Sequence, residues 1–522
     1  MMLAIAFCMS ISSFASAQMS KFWDYRFGGT AIDEFHDLLS IIDTNNFDGK
    51  GYLLAGYSES GINGDKTVAS QGSGDFWLIN LNSNGVKQWD KSYGGSAYDE
   101  LFEVQQTSDG GFILGGWSNS GISGDKSQAN IGAGDYWVVR TDMHGTKLWD
   151  KTFGGTSEDY LQSIKQTSDG GYILAGRSNS GISGNKTQAN RGVVGVNWDY
   201  WIVKISSNGT FQWDQTFGGA DDDWLFSIQQ TSDGGYILGG YSNSGITGDK
   251  SQASKGFDDY WIVKTDANGV KQWDKTFGGS NPDQMQVVKQ TSDGGYILGG
   301  SSASGANGDK SQATRGNFDY WILKTDASGA KQWDKRFGGS SADNLFDLIQ
   351  TSDGGYLLGG ASSSAANGDK TQGNQGTVGT SNDFWIVKTD ASGIAQVDRR
   401  FGGSSDDYSK SIIETSDGNY ALAGWSTSGA NGDKTQASQG SIDYWVLKVS
   451  GPNSVTTSPI AGPLCAGTNI NVGFTATGTF NAGNIFTAQL SDSSGSFASP
   501  TDIGTLSSTS SGNISATLPF TF

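Results

Sequence analysis

Short apolar runs alternate with glycine-rich polar stretches along most of the chain, and the alternation repeats. Its clearest copy spans residues 230–279, where GYILGG is followed by a polar loop, DYWIVKTD, the turn sequence Asp-Ala-Asn-Gly, and VKQWDKTF. The run LFSIQQT, residues 225–231, comes just before and ends at Ser-Asp-Gly-Gly, a hairpin signal. Runs of this length, rich in aromatic and β-branched residues and bounded by Gly, Asn and Asp, predict strands. The other three strands are expected over residues 235–240, 259–265 and 270–277. In the third, Trp261 and Val263 fall on one face and Tyr260 and Ile262 on the other. Apolar residues on both faces call for a sheet covered on both sides. No stretch of useful length carries the helical period.

An aromatic residue followed by Gly-Gly marks each copy: Phe27, Tyr93, Phe153, Phe217, Phe277, Phe337 and Phe401, at spacings of 66, 60, 64, 60, 60 and 64 residues. Repetition at such a period means an array of one supersecondary unit. Seven units of four strands predict an all-β fold, a seven-bladed β-propeller. The ends of the array fit a closed ring. It opens on a fourth strand, KFWDYRFGG, and closes on a third, DYWVLKVS. Pairing the two would complete the seventh blade and remove two exposed sheet edges. Extra residues lengthen three units, around Asn45-Asn46-Phe47 and at residues 193–198 and 378–382.

The propeller is expected over residues 18–450. Residues 451–463 hold three of the six prolines and read as a linker. Residues 464–522 are rich in Ser, Thr and Gly, with alternating runs such as INVGFTA, and predict a small, incomplete β-sandwich. Residues 1–17 carry no charge, and their apolar part is too short for a membrane span. Ala15-Ser16-Ala17 fits a cleavage signal, so the chain reads as exported, with a mature start near Gln18. Cys8 would leave with that segment and Cys465 would stand alone, as a small buried residue or a reactive thiol. The net charge of -19 opposes nucleic acid and anionic membrane surfaces. It is compatible with cations, basic partners or neutral sugars, and with solubility alone.

GYILGG, an aromatic-rich strand, a turn and a Trp together resemble the kelch unit of β-propellers. FGGSSDD followed by GGYLLGG is similar to the bacterial β-propeller repeat. QTSDGGYILGG with DYWIVKTDANG resembles secreted and surface proteins of Bacteroidetes-type bacteria. The tail from LCAGTNINVGFTA onward resembles the Ig-like module of such proteins. The resemblance implies a propeller at the cell surface and type IX secretion, through a sorting domain that this sequence does not show. It transfers no catalytic residue.

In an antiparallel meander, the long connections between strands two and three share a face with those from strand four to the next blade. Function is expected on that face. An Asp recurs there in every unit: Asp33, Asp99, Asp159, Asp223, Asp283, Asp343 and Asp407. These would form a cation or general-acid cluster, or each would cap backbone N–H groups of its own loop. The Gly-Asp-Lys loops read as turns with solvated charges. Positions where the copies differ are better candidates. Directly after the second strand's apolar run stand Tyr57, Trp117, Arg177, Tyr241, Ser301, Ala361 and Trp425, so five blades carry an aromatic or cationic residue there. Such aromatics either stack on sugars and grip peptides or pack under the loops. Asp221 and Asp222, beside Trp224, add negative charge at one blade. That run could attract Ca²⁺ but lacks the spaced D-x-D-x-D-G ligand pattern, so no cofactor is indicated. No zinc spacing, P-loop or G-x-S-x-G elbow occurs. The reading is a binding or scaffold protein with a protein or glycan partner at the cell surface, no nucleic acid and no membrane span. The rival is a glycan-acting hydrolase with carboxylates on the same face.

Overall fold

The structure is a computed structural model, and it describes residues 7–11, 19–42, 50–451, 454–457, 466–477, 484–490 and 501–519. The expected cleavage signal Ala15-Ser16-Ala17, the insertion at Asn45-Asn46-Phe47, Cys465 and most of the expected linker lie outside these residues. The chain divides into two compact units. One comprises Trp23–Glu414 and Ala421–Leu447; the other comprises Met1–Phe22, Thr415–Tyr420 and Lys448–Phe522.

Seven four-stranded antiparallel meanders form the propeller. Blade 1 consists of Asp33–Ile42, Lys50–Ser58, Asp75–Asn82 and Lys87–Tyr93, and blade 4 of Asp223–Gln230, Tyr236–Ser242, Asp259–Thr265 and Lys271–Phe277. The first strand of every blade lines one central cavity, so first strands are innermost. In blades 2 to 6 the third strands are buried along their whole length, as their two apolar faces require. Each carries a fully buried Trp whose indole N–H donates to an Asp on the fourth strand, as from Trp261 to Asp274 at 3.1 Å. The neighbouring Tyr reaches the next blade: Tyr200 Oη donates to the Trp261 carbonyl at 2.9 Å, and Tyr260 Oη to that of Trp321 at 2.9 Å.

The ring closes as the ends of the repeat array predict. Blade 7 has the order Lys21–Phe27, Asp443–Val449, Tyr420–Ser426, Asp407–Glu414, so its outer strand comes from the start of the array. Asp24 supplies the fourth-strand carboxylate, accepting from Trp445 Nε1 at 3.1 Å and from the Thr435 amide at 2.9 Å. Tyr444 Oη donates to the Trp77 carbonyl at 3.2 Å, joining blade 7 to blade 1.

The Gly-Asp-Lys loops correct the sequence reading, because their lysines are not solvated. Lys66, Lys126, Lys186, Lys250, Lys310, Lys370 and Lys434 are all buried. Lys250 Nζ lies 4.9 Å from the centre of the Trp261 ring and donates to Ser242 Oγ at 2.7 Å. The preceding residue explains the inward turn. The Asp249 amide donates to the Gly218 carbonyl at 2.8 Å, and its carboxylate accepts from the Gly218 amide at 3.3 Å. With Asp249 tied outward to the incoming connection, the next side chain points into the blade.

The other unit holds two three-stranded sheets, Phe7–Ile11 with Ile485–Leu490 and Thr501–Ser507, and Ser454–Thr457 with Asn469–Thr477 and Gly512–Thr517. Val472, Phe474, Phe486, Ile514 and Leu518 share one apolar cluster between them. Part of the segment read as a leader is thus an edge strand here.

Two predictions follow from these contacts. Asp24→Ala strips the acceptor from a buried indole and a backbone amide, which costs about 1–3 kcal/mol. Chemical denaturation should show this loss, and an unchanged midpoint would refute the closure contact. Burial raises Asp75 to about 6, Asp259 to about 7 and Asp199 to about 8. These groups keep protons in the folded state that the unfolded chain has released, so their stabilisation is complete below about pH 4 and fades as pH rises through 6 to 8. Burial lowers Lys66 and Lys250 to about 8, so their contribution is present above about pH 10.5 and is lost as pH falls through 8. Thermal unfolding followed by circular dichroism should therefore show a stability minimum near pH 8. A steady rise from pH 5 to 8 would contradict this assignment.

Candidate functional site: the channel mouth on the long-loop face

Each inner strand starts at the long-loop face and runs down the channel, and in blades 2 to 6 it ends at the short Ser-Asp-Gly-Gly turn. A β-bulge interrupts it after the third residue, between Leu101 and Glu103 in blade 2 and between Leu225 and Ser227 in blade 4. The extra residue alters which side chains face the axis below it. The cavity enclosed by the seven strands has a volume of about 410 Å³.

Acidic side chains at the bulge join neighbouring blades. The Val104 amide donates to Asp37 at 3.1 Å, the Ile164 amide to Glu103 at 2.6 Å, and the Ile412 amide to Asp347 at 3.0 Å. Lys165 is ion-paired with Glu103. Burial, with Glu103 nearby, raises Asp37 to about 6. Lys410 Nζ lies 4.2 Å from the centre of the Phe346 ring, and burial lowers its pKa. The charges at mid-channel therefore serve mainly to hold the inner strands together.

The mouth above them is aromatic on one side only. Rings follow one another from blade 1 to blade 4: Tyr57 to Tyr98 at 5.2 Å, Tyr98 to Trp117 at 6.1 Å, and Trp117 to Tyr160 at 5.1 Å with planes 2° apart. Tyr160 meets Trp198 at 5.7 Å, Trp198 meets Trp224 at 6.5 Å, and Trp224 stacks on Tyr241 at 5.7 Å. Arg177 lies in this row, its guanidinium carbon 4.8 Å from the Tyr160 ring, 5.5 Å from Trp198 and 4.1 Å from Trp224. Burial lowers its pKa. Charged groups border the row: Tyr57 Oη donates to Glu34 at 3.2 Å, His36 Nε2 lies 3.2 Å from Glu100, and Trp117 Nε1 donates to Glu158 at 3.2 Å. Burial raises Glu158.

Of the residues singled out from sequence, the structure brings Trp117, Arg177, Trp224 and Tyr241 together and links Tyr57 to them through Tyr98. Tyr57 and Trp117 are almost wholly buried, while Arg177, Trp224 and Tyr241 are partly exposed. Trp425 stands apart on blade 7, stacked on Tyr408 at 4.3 Å. Asp222 accepts from the Trp198 amide at 3.0 Å and so anchors a ring of the row. Asp221 is exposed on the rim. Sequence reasoning missed Tyr98, Tyr160 and Trp198. Tyr160 and Trp224 occupy the place directly after the recurring Asp, where the copies also differ, and Trp198 ends the blade 3 insertion.

The seven recurring aspartates are fully buried and cap their own loops. The Gly219 amide donates to Asp223 at 2.6 Å, and Ser244 Oγ donates to it at 3.1 Å. Among the described residues, no group of three or more His, Cys, Asp or Glu is placed to hold a metal ion.

No family model matches this chain. A stretch of 214 residues is 24% identical to the regulatory protein FlaEY of Caulobacter vibrioides, covering 39% of this chain and 22% of that protein. The matched stretch is thus less than a quarter of that relative's length. Among solved structures, a protein of unknown function from Dyadobacter fermentans aligns with 83% of this chain and 99% of its own, at TM-score 0.40 and 9% identity. Sqt1 of Chaetomium thermophilum, bound to the N-terminus of a ribosomal protein, aligns over 83% and 99% at TM-score 0.40 and 11% identity. A puromycin hydrolase aligns over 80% and 53% at TM-score 0.39 and 10% identity. At these scores none of them bears on function.

The unpaired state of Arg177 yields a prediction. Replacing a buried, unbonded charge by an apolar side chain of similar length removes a desolvation cost along with a cation–π contact. Arg177→Met should therefore shift the unfolding free energy by less than about 1 kcal/mol. A loss of several kcal/mol would make the arginine a structural necessity.

Proposed function

We propose that this chain is an exported binding protein that holds a glycan on the long-loop face, at the mouth of the propeller channel. The observation that carries the reading is the row of rings on blades 1 to 4, partly exposed and bordered by Glu34, Glu100 and Asp222. Sugar rings present C–H faces that pack on aromatic rings and hydroxyls that donate to carboxylates. The row occupies a variable edge of a rigid scaffold, where binding residues are usually placed. A cell-surface setting, with the second unit as an Ig-like module, fits the uncharged start of the sequence and the character of the tail.

A glycan array probed with the full chain, paired with a hydrolysis screen on every hit, tests the proposal. Binding without turnover is expected, with affinity reduced about tenfold in Trp224→Ala through loss of one stacking surface. Turnover that disappears in Glu34→Gln or Glu100→Gln would replace the binding reading with a hydrolase.

A further inference from the structure

Arg177 has a feature that the stacking row does not explain. It is one of 34 basic residues facing 53 acidic ones, yet among the described residues its guanidinium makes no hydrogen bond and no ion pair. Its Nε is sealed from solvent without a partner. Every neighbouring acid is turned to another group. Glu158 accepts from Trp117, and Asp222 accepts from the Trp198 amide. Two arginines of the long loops on this face are paired: Arg191 with Asp249 at 2.8 Å, and Arg315 with Asp369 at 2.7 Å. Sealing one N–H of a guanidinium from water with no acceptor is costly unless something else supplies one.

The position supports the same conclusion. Arg177 faces Tyr160 on the inner strand and Tyr200 on the third strand, at the end of the blade nearest the long loops. Three rings surround the guanidinium, and the side chain keeps partial exposure at the rim. No other blade has a cation here; the corresponding residues are Tyr57, Trp117, Tyr241, Ser301, Ala361 and Trp425. A planar fork placed among rings matches a planar carboxylate, which it can engage through two parallel N–H bonds.

Resting on the glycan-binding reading, we propose that Arg177 is the specificity-determining residue for a uronate: the site takes an otherwise uncharged glycan carrying one carboxylate, received by Arg177 while the adjoining sugar lies on Trp224. A polyanion does not suit the site. The net charge of -19 and the nearby Glu34, Glu100 and Glu158 oppose a second negative group. A short acidic peptide without aromatic residues or proline would use the same fork but has no ring to lay on the aromatic row.

The test compares D-glucuronate with D-glucose, by tryptophan fluorescence and ligand-observed NMR, on the full chain and on Arg177→Met. Expected is at least about a tenfold preference for glucuronate in the wild type, as one charge-assisted bidentate contact supplies. Arg177→Met should keep its melting curve and lose that preference, its response to glucuronate falling to the level of its response to glucose. Equal response to the two sugars, no response to either, or a preference that survives in Arg177→Met overturns the proposal. So does a stronger response to a short Asp-containing peptide than to glucuronate. Hits on the glycan array with no uronate preference would leave the binding reading standing and remove only this refinement. An array without hits removes the reading itself.

Discussion

A lysine buried under the long loop of every blade, its ammonium set against a tryptophan ring in six of the seven, is the contact on which the long-loop face depends. The loop between the second and third strands is polar and glycine-rich, and its large apolar residues, such as Ile246 and Phe257, are exposed and do not hold it down. It is held by its lysine instead. Lys250 lies over Trp261, donates to Ser242 and sits among Asp223, Asp259 and Asp274, so it ties the loop to all four strands of its blade. Each aspartate in turn caps a backbone segment or accepts from the indole. Removing the lysine would leave buried carboxylates without a counter-charge, and leaving a buried charge unpaired costs more than the intact pair contributes. The propeller thus has a polar interior beneath one face, with proton occupancy as part of its stability.

The fold was legible because repetition supplies seven independent readings of one pattern. Strand limits from 259 to 265 come directly from DYWIVKT, and the ring closure came from counting strands at the two ends of the array. The polar interior was not legible. A Gly-Asp-Lys tripeptide at a turn is ordinarily solvated, and nothing in its composition distinguishes the buried lysine from an exposed one. What decides its direction is the pairing of Asp249 with the backbone of Gly218, 31 residues away, which only the fold brings together.

The site was half legible for a related reason. Looking for positions where the copies differ found Tyr57, Trp117, Arg177 and Tyr241, because what every blade needs is the same in every copy, and the acidic run Asp221-Asp222 pointed to Trp224. The same comparison of copies also picked out Trp425, which satisfies the criterion but lies beyond the row, since sequence register says which height a residue occupies and not which neighbours it meets across a blade boundary. Tyr160 and Trp198 enter the row from a different strand and from an insertion. Their convergence on Arg177 is a product of blade packing and of the hydrogen bond from the Trp198 amide to Asp222.

The division of charge between the two levels of the channel has a physical basis. At mid-channel the bulges leave amides facing the axis, and Asp37, Glu103 and Asp347 accept from them across blade boundaries. Those acids are committed to joining strands and are shielded by Lys165 and its neighbours. At the mouth the inner strands have not yet bulged, their amides are spent on the second strands, and side chains are free to vary without loosening the ring. Variation is therefore permitted just where the long loops converge. An arginine placed there among rings, in a protein otherwise crowded with carboxylates, remains uncompensated because each nearby acid already accepts a hydrogen bond that the fold needs.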